Sequence, residues 1–373
     1  MPERTPPPKP GIYYDVPEAE YRAWDAYNWS ALARTGISME QFKWDWDHPS
    51  SQSTPAQVEG TVLHAFVLEP DEAPLRHVCR PREFPVVVRI KGAKAFAPKA
   101  VGETGREYVV ATGLGSKRHE WTVRLVPDDS GEGWAMAGPA GARERVRVAM
   151  HWWVANATFC QAWTADMKAK GFQIHSRDVL ERCRGMAARL LEVPDVQRLL
   201  DGAPTEVCVV WRDPQTNLLC KARLDAWSRL PDGDAIPDVK TSARPVDVET
   251  FAWTIKKWKY TGQAAMYLDG LRGALKAIGD EIREVPQFHF LAVQSFPPYT
   301  PRPWHFLDHR SALTAEWVEF GRRAWHGALQ QVAYCLKTGV WPGHEQGGDA
   351  YPSSDEIPVP SNMTLILPEE NLR

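Results

Sequence analysis

The chain has 373 residues, enough for a full hydrophobic core, and lies between the size of one elaborated domain and that of two small ones. Its 44 Lys and Arg against 47 Asp and Glu leave a formal charge of −3, which excludes a globally basic surface; any nucleic-acid contact has to come from local patches. Six scattered cysteines with no C-x-x-C pair argue against a zinc ribbon, and no run of 18 apolar residues or apolar leader is present, so the expectation is a reduced, cytoplasmic protein without membrane contact.

Residues 1–81 read as a Pro-rich lead followed by helical segments around 18–33 and 39–45. A helix then covers Gln57 to Leu68, with Thr54-Pro55 as its start signal and His64 inside it. From 82 to 150 the texture becomes β-rich, with short strands around 86–88, 108–110 and 121–125. Nine Lys or Arg against four Glu between Arg82 and Leu125 make this inserted segment locally basic. Helices resume over 151–170 and 176–191. Three strands follow, 206–212, 219–227 and 235–240, separated by Asp213-Pro214-Gln215-Thr216-Asn217 and Pro231-Asp232-Gly233-Asp234. A long helix over 246–271, a strand over 287–295 and a helix over 312–337 close a core at 151–345, and the tail 346–373 is irregular. Helix, three-strand meander, helix and strand make an α/β fold of the α+β kind, with a mixed sheet covered by helices.

The chemistry-bearing residues lie on the second and third strands. Asp238 and Lys240 are two apart in a strand, so they share a face at roughly 6 to 7 Å. A hairpin centred between Asp232 and Gly233 puts Asp225 opposite Lys240 and diagonal to Asp238, about 7 to 8 Å apart, where one cation could bridge the two carboxylates. Alternation places Asp225 with Lys221 and Arg223, against an apolar side of Cys220, Ala222 and Leu224. A surface ion-pair cluster would use the same three residues. Gln263 and Tyr267, four apart on the following helix, add a second element able to reach them. Lys256, Lys257 and Lys259 either contact phosphates or are solvated.

Trp211-Arg212-Asp213-Pro214, Lys221 to Trp227, Asp238-Val239-Lys240-Thr241 and Tyr260 to Tyr267 together resemble the nuclease domain of the RecE (exonuclease VIII) group. That group is a RecB-type branch of the PD-(D/E)xK superfamily, with a restriction-endonuclease-like core, and is often encoded by phages or prophages. Gly60-Thr61-Val62-Leu63-His64 resembles the upstream helix of the same group, whose His borders the metal. The likeness covers about 20–80 and 155–345 but not the β-rich insertion. Leu224 stands where the superfamily's name has Pro, and the Cys cluster that holds an iron–sulfur centre in some relatives is missing, so no such cluster is expected.

The resemblance implies that Asp225, Asp238 and the Val239 carbonyl bind Mg²⁺, with Mn²⁺ able to substitute and His64 a ligand or close neighbour. Lys240 would orient or deprotonate the attacking water, Gln263 and Tyr267 would position the phosphate or the Lys, and Glu206 is a candidate outer ligand. The implied activity is exonucleolytic digestion of double-stranded DNA ends, 5′ to 3′, in recombination, with a single-strand annealing protein as partner and a homo-oligomer as a possible assembly. An endonuclease or single-strand nuclease on the same core, or a catalytically silent DNA-binding protein, are the alternatives.

Overall fold

A computed structural model describes residues 4–49, 53–81, 83–87, 107–112, 119–126, 134–138, 144–152, 158–231, 233–280, 286–306 and 312–343. In chain order the first elements are β1 (Gly11–Tyr13), α1 (Glu18–Ala23), α2 (Trp29–Leu32), a 3-10 turn at Ala33–Gly36, α3 (Met39–Asp47), α4 (Pro55–Leu68) and α5 (Ala73–Arg76). There follow β2 (His77–Cys79), β3 (Glu83–Val87), β4 (Glu107–Thr112), β5 (His119–Val126), β6 (Trp134–Gly138) and β7 (Glu144–Trp152), then α6 (Thr158–Ala169), β8 (Gln173–His175), α7 (Arg177–Leu191) and α8 (Pro194–Leu200). The central elements are β9 (Thr205–Arg212), β10 (Leu219–Ala226), β11 (Ser228–Leu230), β12 (Gly233–Ser242), α9 (Val248–Lys257), α10 (Tyr260–Ile278), β13 (Gln287–Gln294), β14 (Pro301–Phe306) and α11 (Ala312–Thr338).

The core is an α/β arrangement in which the strands carry a different helix layer on each face. On one face Ile236 of β12 and Phe288, Phe290 and Ala292 of β13 pack with Ala264, Ala265, Leu268 and Leu271 of α10. The alternate positions, Ala235, Val239, Leu291 and Val293, pack with Val62, Leu63 and Phe66 of α4 and with Leu180, Met186 and Leu190 of α7. Because β12 and β13 pair in parallel, the chain must cross over between them, and α9 with α10 makes that crossing. β13 is buried along its whole length, as a parallel strand covered on both faces must be. Thr54 starts α4 with a capping box, its hydroxyl accepting from Gln57 N while the Gln57 side chain accepts from Thr54 N, and Pro55 occupies the first turn.

Four expectations are corrected. The three-strand meander is interrupted: β10 pairs with β9 in a sheet ordered β1-β9-β10, whereas β12 belongs to a second sheet ordered β11-β12-β13-β14. The hairpin ladder pairs Ser228 with Ala235 and Leu230 with Gly233, so its centre lies one residue earlier than expected and Asp225 does not stand opposite Lys240. The single helix over 246–271 is two helices, broken at Trp258 and Lys259, where Lys259 adopts a left-handed φ of 55°. Neither Gly nor Pro marks that break, so the sequence carries no punctuation for it. Finally, His151 and Trp152 end a strand, and the helix expected over 151–170 begins only at Thr158.

Within 82–150 the strands pair in the order β3-β7-β6-β5-β4, antiparallel throughout. On either side of this sheet β2 and β8 pair in parallel, with His77 Nδ1 3.0 Å from His175 Nε2. Among the described residues no helix is long and apolar enough to cross a membrane.

Candidate active site

The polar face of β10 carries Lys221, Arg223 and Asp225, and the first two are spent on structure. The Lys221 ammonium donates to the carbonyls of Tyr21 and Trp24 at 2.8 and 2.7 Å, satisfying the orphan end of α1. Arg223 pairs with Glu206 and donates to Val16 O at 2.9 Å. Asp225 is left, and it is aimed at β12. Its Oδ2 accepts from Val239 N at 2.7 Å, so a side chain takes the place of the ladder partner that the split between β10 and β12 removes.

The Val239 carbonyl is met from the other side. His64, on α4, places Nε2 3.0 Å from Val239 O and Nδ1 3.5 Å from Asp225 Oδ2. The imidazole therefore bridges a carboxylate and a carbonyl at the seam between the sheets. It lines, with Asp225, Glu206, Arg223, Arg76 and His77, a cavity of about 570 Å³. Burial raises the Asp225 carboxyl to about 7; His64 and Lys240 oppose that shift, while Asp238 and Glu206 add to it.

Alternation along β12 sends Asp238 and Lys240 to the α10 side. Asp238 is fully buried, with Oδ1 accepting from Gln263 Nε2 at 2.9 Å and Oδ2 against the Lys240 ammonium. That second oxygen has no directed hydrogen bond, only the ion pair. Burial pulls the Lys240 pKa down, but Asp238 and Asp225 outweigh it and leave it raised, so Lys240 stays an ammonium. Burial, with nearby Tyr21 and the carboxylates, pushes the Tyr267 phenol far above the usual range.

A family model described as a PDDEXK-like domain of unknown function (DUF3799) matches residues 148–351, which is more than half of the chain. The chain belongs to this family. Its core is accordingly of the PD-(D/E)xK type, and Asp225, Asp238, Lys240, Gln263 and Tyr267 all lie inside the matched segment, while His64 lies outside it. Among solved structures, a protein described as a candidate exonuclease from Eubacterium rectale is 15% identical, with 56% of this chain and 74% of that one covered at a TM-score of 0.36. The structure of SSO0001 is 14% identical, with 42% and 68% covered at a TM-score of 0.22. No curated protein matches.

For a PDDEXK-like domain the question is whether these side chains suit a divalent cation. Two carboxylates and a backbone carbonyl are the hard oxygen donors that Mg²⁺ and Mn²⁺ take, and the imidazole beside them is a borderline nitrogen donor. Yet among the described residues no three His, Cys, Asp or Glu side chains converge on one point that could hold a metal. Asp238 commits one oxygen to Gln263 and the other to Lys240. Glu206 sits at the cavity wall, held by Arg223, with a left-handed φ of 53°.

The three lysines of the α9–α10 junction lie elsewhere. Lys256 and Lys259 line a second cavity with α2 and α11, and Lys257 stands beside Trp253 and Trp258. Tyr260 was not among the expected site residues. The Lys240 ammonium lies 5.0 Å from its ring centroid, and burial raises its phenol pKa against the pull of Lys240. A helical spacing of three and seven, Tyr260, Gln263 and Tyr267, is the signal that could have found it.

Proposed function

We propose that this protein is a magnesium-dependent exodeoxyribonuclease of the RecE-like kind, encoded by a phage or prophage, that hydrolyses double-stranded DNA from its ends, 5′ to 3′, in recombination. The observation that carries the reading is the seam at Val239, where buried Asp225 meets its N–H, His64 meets its carbonyl, and Asp238 and Lys240 flank it. Asp225, Asp238 and Val239 O are the groups that would hold Mg²⁺, with His64 beside them. When bound, such a cation offsets charge on the scissile phosphate and lowers the pKa of its water.

The protein's own groups supply the rest. Lys240, kept as an ammonium, donates to the phosphate or to the water and orients it, which suits charge stabilisation better than proton removal. Gln263 fixes the Asp238 carboxylate, and Tyr267, one turn further along α10, positions the phosphate or the Lys. Asp225, raised to about 7, gives up its proton near neutrality when a cation takes its place. An annealing protein that takes up the exposed strand would be the natural partner.

The test compares linear duplex with the same DNA as a closed circle, with Mg²⁺ and with chelator. Digestion of the linear form alone, and only with Mg²⁺, is expected. Equal loss of the closed circle would replace end digestion by internal cleavage.

A further inference from the structure

The outer surface of α9 alternates cations with indole rings. Trp253 and Trp258 are 43% and 59% exposed, although the core takes Phe251, Thr254 and Ile255 from the same helix and needs neither. The Arg244 guanidinium lies 4.2 Å from the Trp253 ring centroid, and Lys257 Nζ lies 4.8 Å from Trp253 and 5.2 Å from Trp258. Between Arg244 and Lys259 the only acids are Asp247 and Glu249 against four cations, and Asp247 is occupied in capping α9 through Thr250 N at 3.0 Å. A chain of net charge −3 thus concentrates positive charge beside two water-facing tryptophans.

This surface continues into a cavity. Lys256 and Lys259 also line a space of about 630 Å³ whose walls include Trp29, Trp317 and Phe320, with Glu316 as the single acid among its described lining residues. The volume is that of a small-ligand pocket, and Phe320 is 59% exposed at its edge. Lys259 is anchored by Ala33 O at 3.3 Å and directly precedes Tyr260, whose ring faces Lys240. The basic aromatic surface therefore begins one residue from the candidate active site.

Cations reward phosphates, and water-exposed indoles reward unpaired bases once the Arg244 and Lys257 side chains that lie over them turn to the phosphates. A duplex keeps its base faces stacked on one another, so it could use the lysines but not the tryptophans. We infer that the α9 surface and the adjoining cavity form a binding track for single-stranded DNA, with Trp253 and Trp258 as stacking platforms and Arg244, Lys256, Lys257 and Lys259 along the phosphates. The choice of DNA, and the track's role in holding the strand that leaves or enters the site, rest on the nuclease reading; the single-strand chemistry does not.

The experiment is fluorescence anisotropy in chelator, where nothing is cleaved, with a fluorescein-labelled oligothymidine and a labelled blunt hairpin duplex as probes. The oligothymidine is expected to bind more tightly than the hairpin. Trp253→Ala and Trp258→Ala should each weaken it roughly five- to a hundredfold, the loss of one base–aromatic stack. Trp258→Phe should keep most of the affinity, and this conservative variant separates lost stacking from lost folding. Equal or tighter binding of the hairpin, or wild-type affinity in both Ala variants, would overturn the inference. Asp238→Asn keeps the two readings apart. Normal oligothymidine binding in that variant supports the track whether or not cleavage is lost, and a wild-type protein that digests duplex but does not bind the oligonucleotide sinks the track alone.

Discussion

The Asp225 carboxyl, enclosed by His64, Asp238 and Glu206, sets how the site answers to pH. In the unfolded chain it titrates near the ordinary value of about 4; in the fold, burial raises it to about 7. Between those values the folded protein keeps a proton that the unfolded chain has released. The resulting stability is fully present below about pH 4 and is lost as pH rises through 7. Thermal melts without divalent metal should therefore fall from pH 5 to pH 8 in the wild type and stay flatter in Asp225→Asn; parallel curves would refute this. Added Mg²⁺ should raise the wild-type melting temperature most above pH 7. Gln263→Ala should lower the cleavage rate by about a hundredfold, the scale of one misplaced charge-organising contact, with the substrate KM little changed. At this scale the sequence was informative because Asp225, Asp238 and Lys240 are recognised by type and spacing. What it could not convey was that Asp225 caps the Val239 N–H, since that contact exists only where the ladder fails.

Elements bring the side chains together through close helix contacts. A Cβ on Gly262 would lie 2.1 Å from the Trp29 ring, and one on Gly321 would lie 2.1 Å from the Thr261 carbonyl. These glycines let α2 and α11 press on the start of α10, which aims Tyr260, Gln263 and Tyr267 at β12. Gly262→Ala or Gly321→Ala should each cost about 1–3 kcal/mol in a denaturant titration, the usual penalty of overpacking. Gly262→Ala should also slow cleavage, because Gln263 is its neighbour; wild-type stability in both variants would contradict this packing. Helical patterning made α4 and α11 legible nearly to the residue, and a short, continuous, mostly apolar run did the same for β13, which is buried on both faces. β14 was missed because Pro301 and Pro303 read as breakers, yet it is an edge strand, where prolines are tolerated. β1 is three residues long, too short for any period to show.

At the scale of the whole molecule, the site is drawn from α4, β10, β12 and α10, and it lies where two sheets part. The mixed order of strands and helices was readable from the sequence, but the parting was not, because a hairpin turn at 231–234 is compatible with one continuous meander. The β9–β10 ladder runs in register up to Trp227, whose N–H bonds Pro204 O at 3.1 Å, and from Ser228 the chain pairs with β12 instead, so the seam lies where β10 hands over to β11. If the seam is the site of phosphodiester cleavage, its groups must act together. The most direct measurement is release of label from end-labelled linear duplex DNA, with and without Mg²⁺, by the wild type, Asp225→Ala and Lys240→Ala, with circular dichroism to verify folding. Magnesium-dependent release by the wild type and none by either folded variant is the predicted result; undiminished release by either one would contradict the assignment.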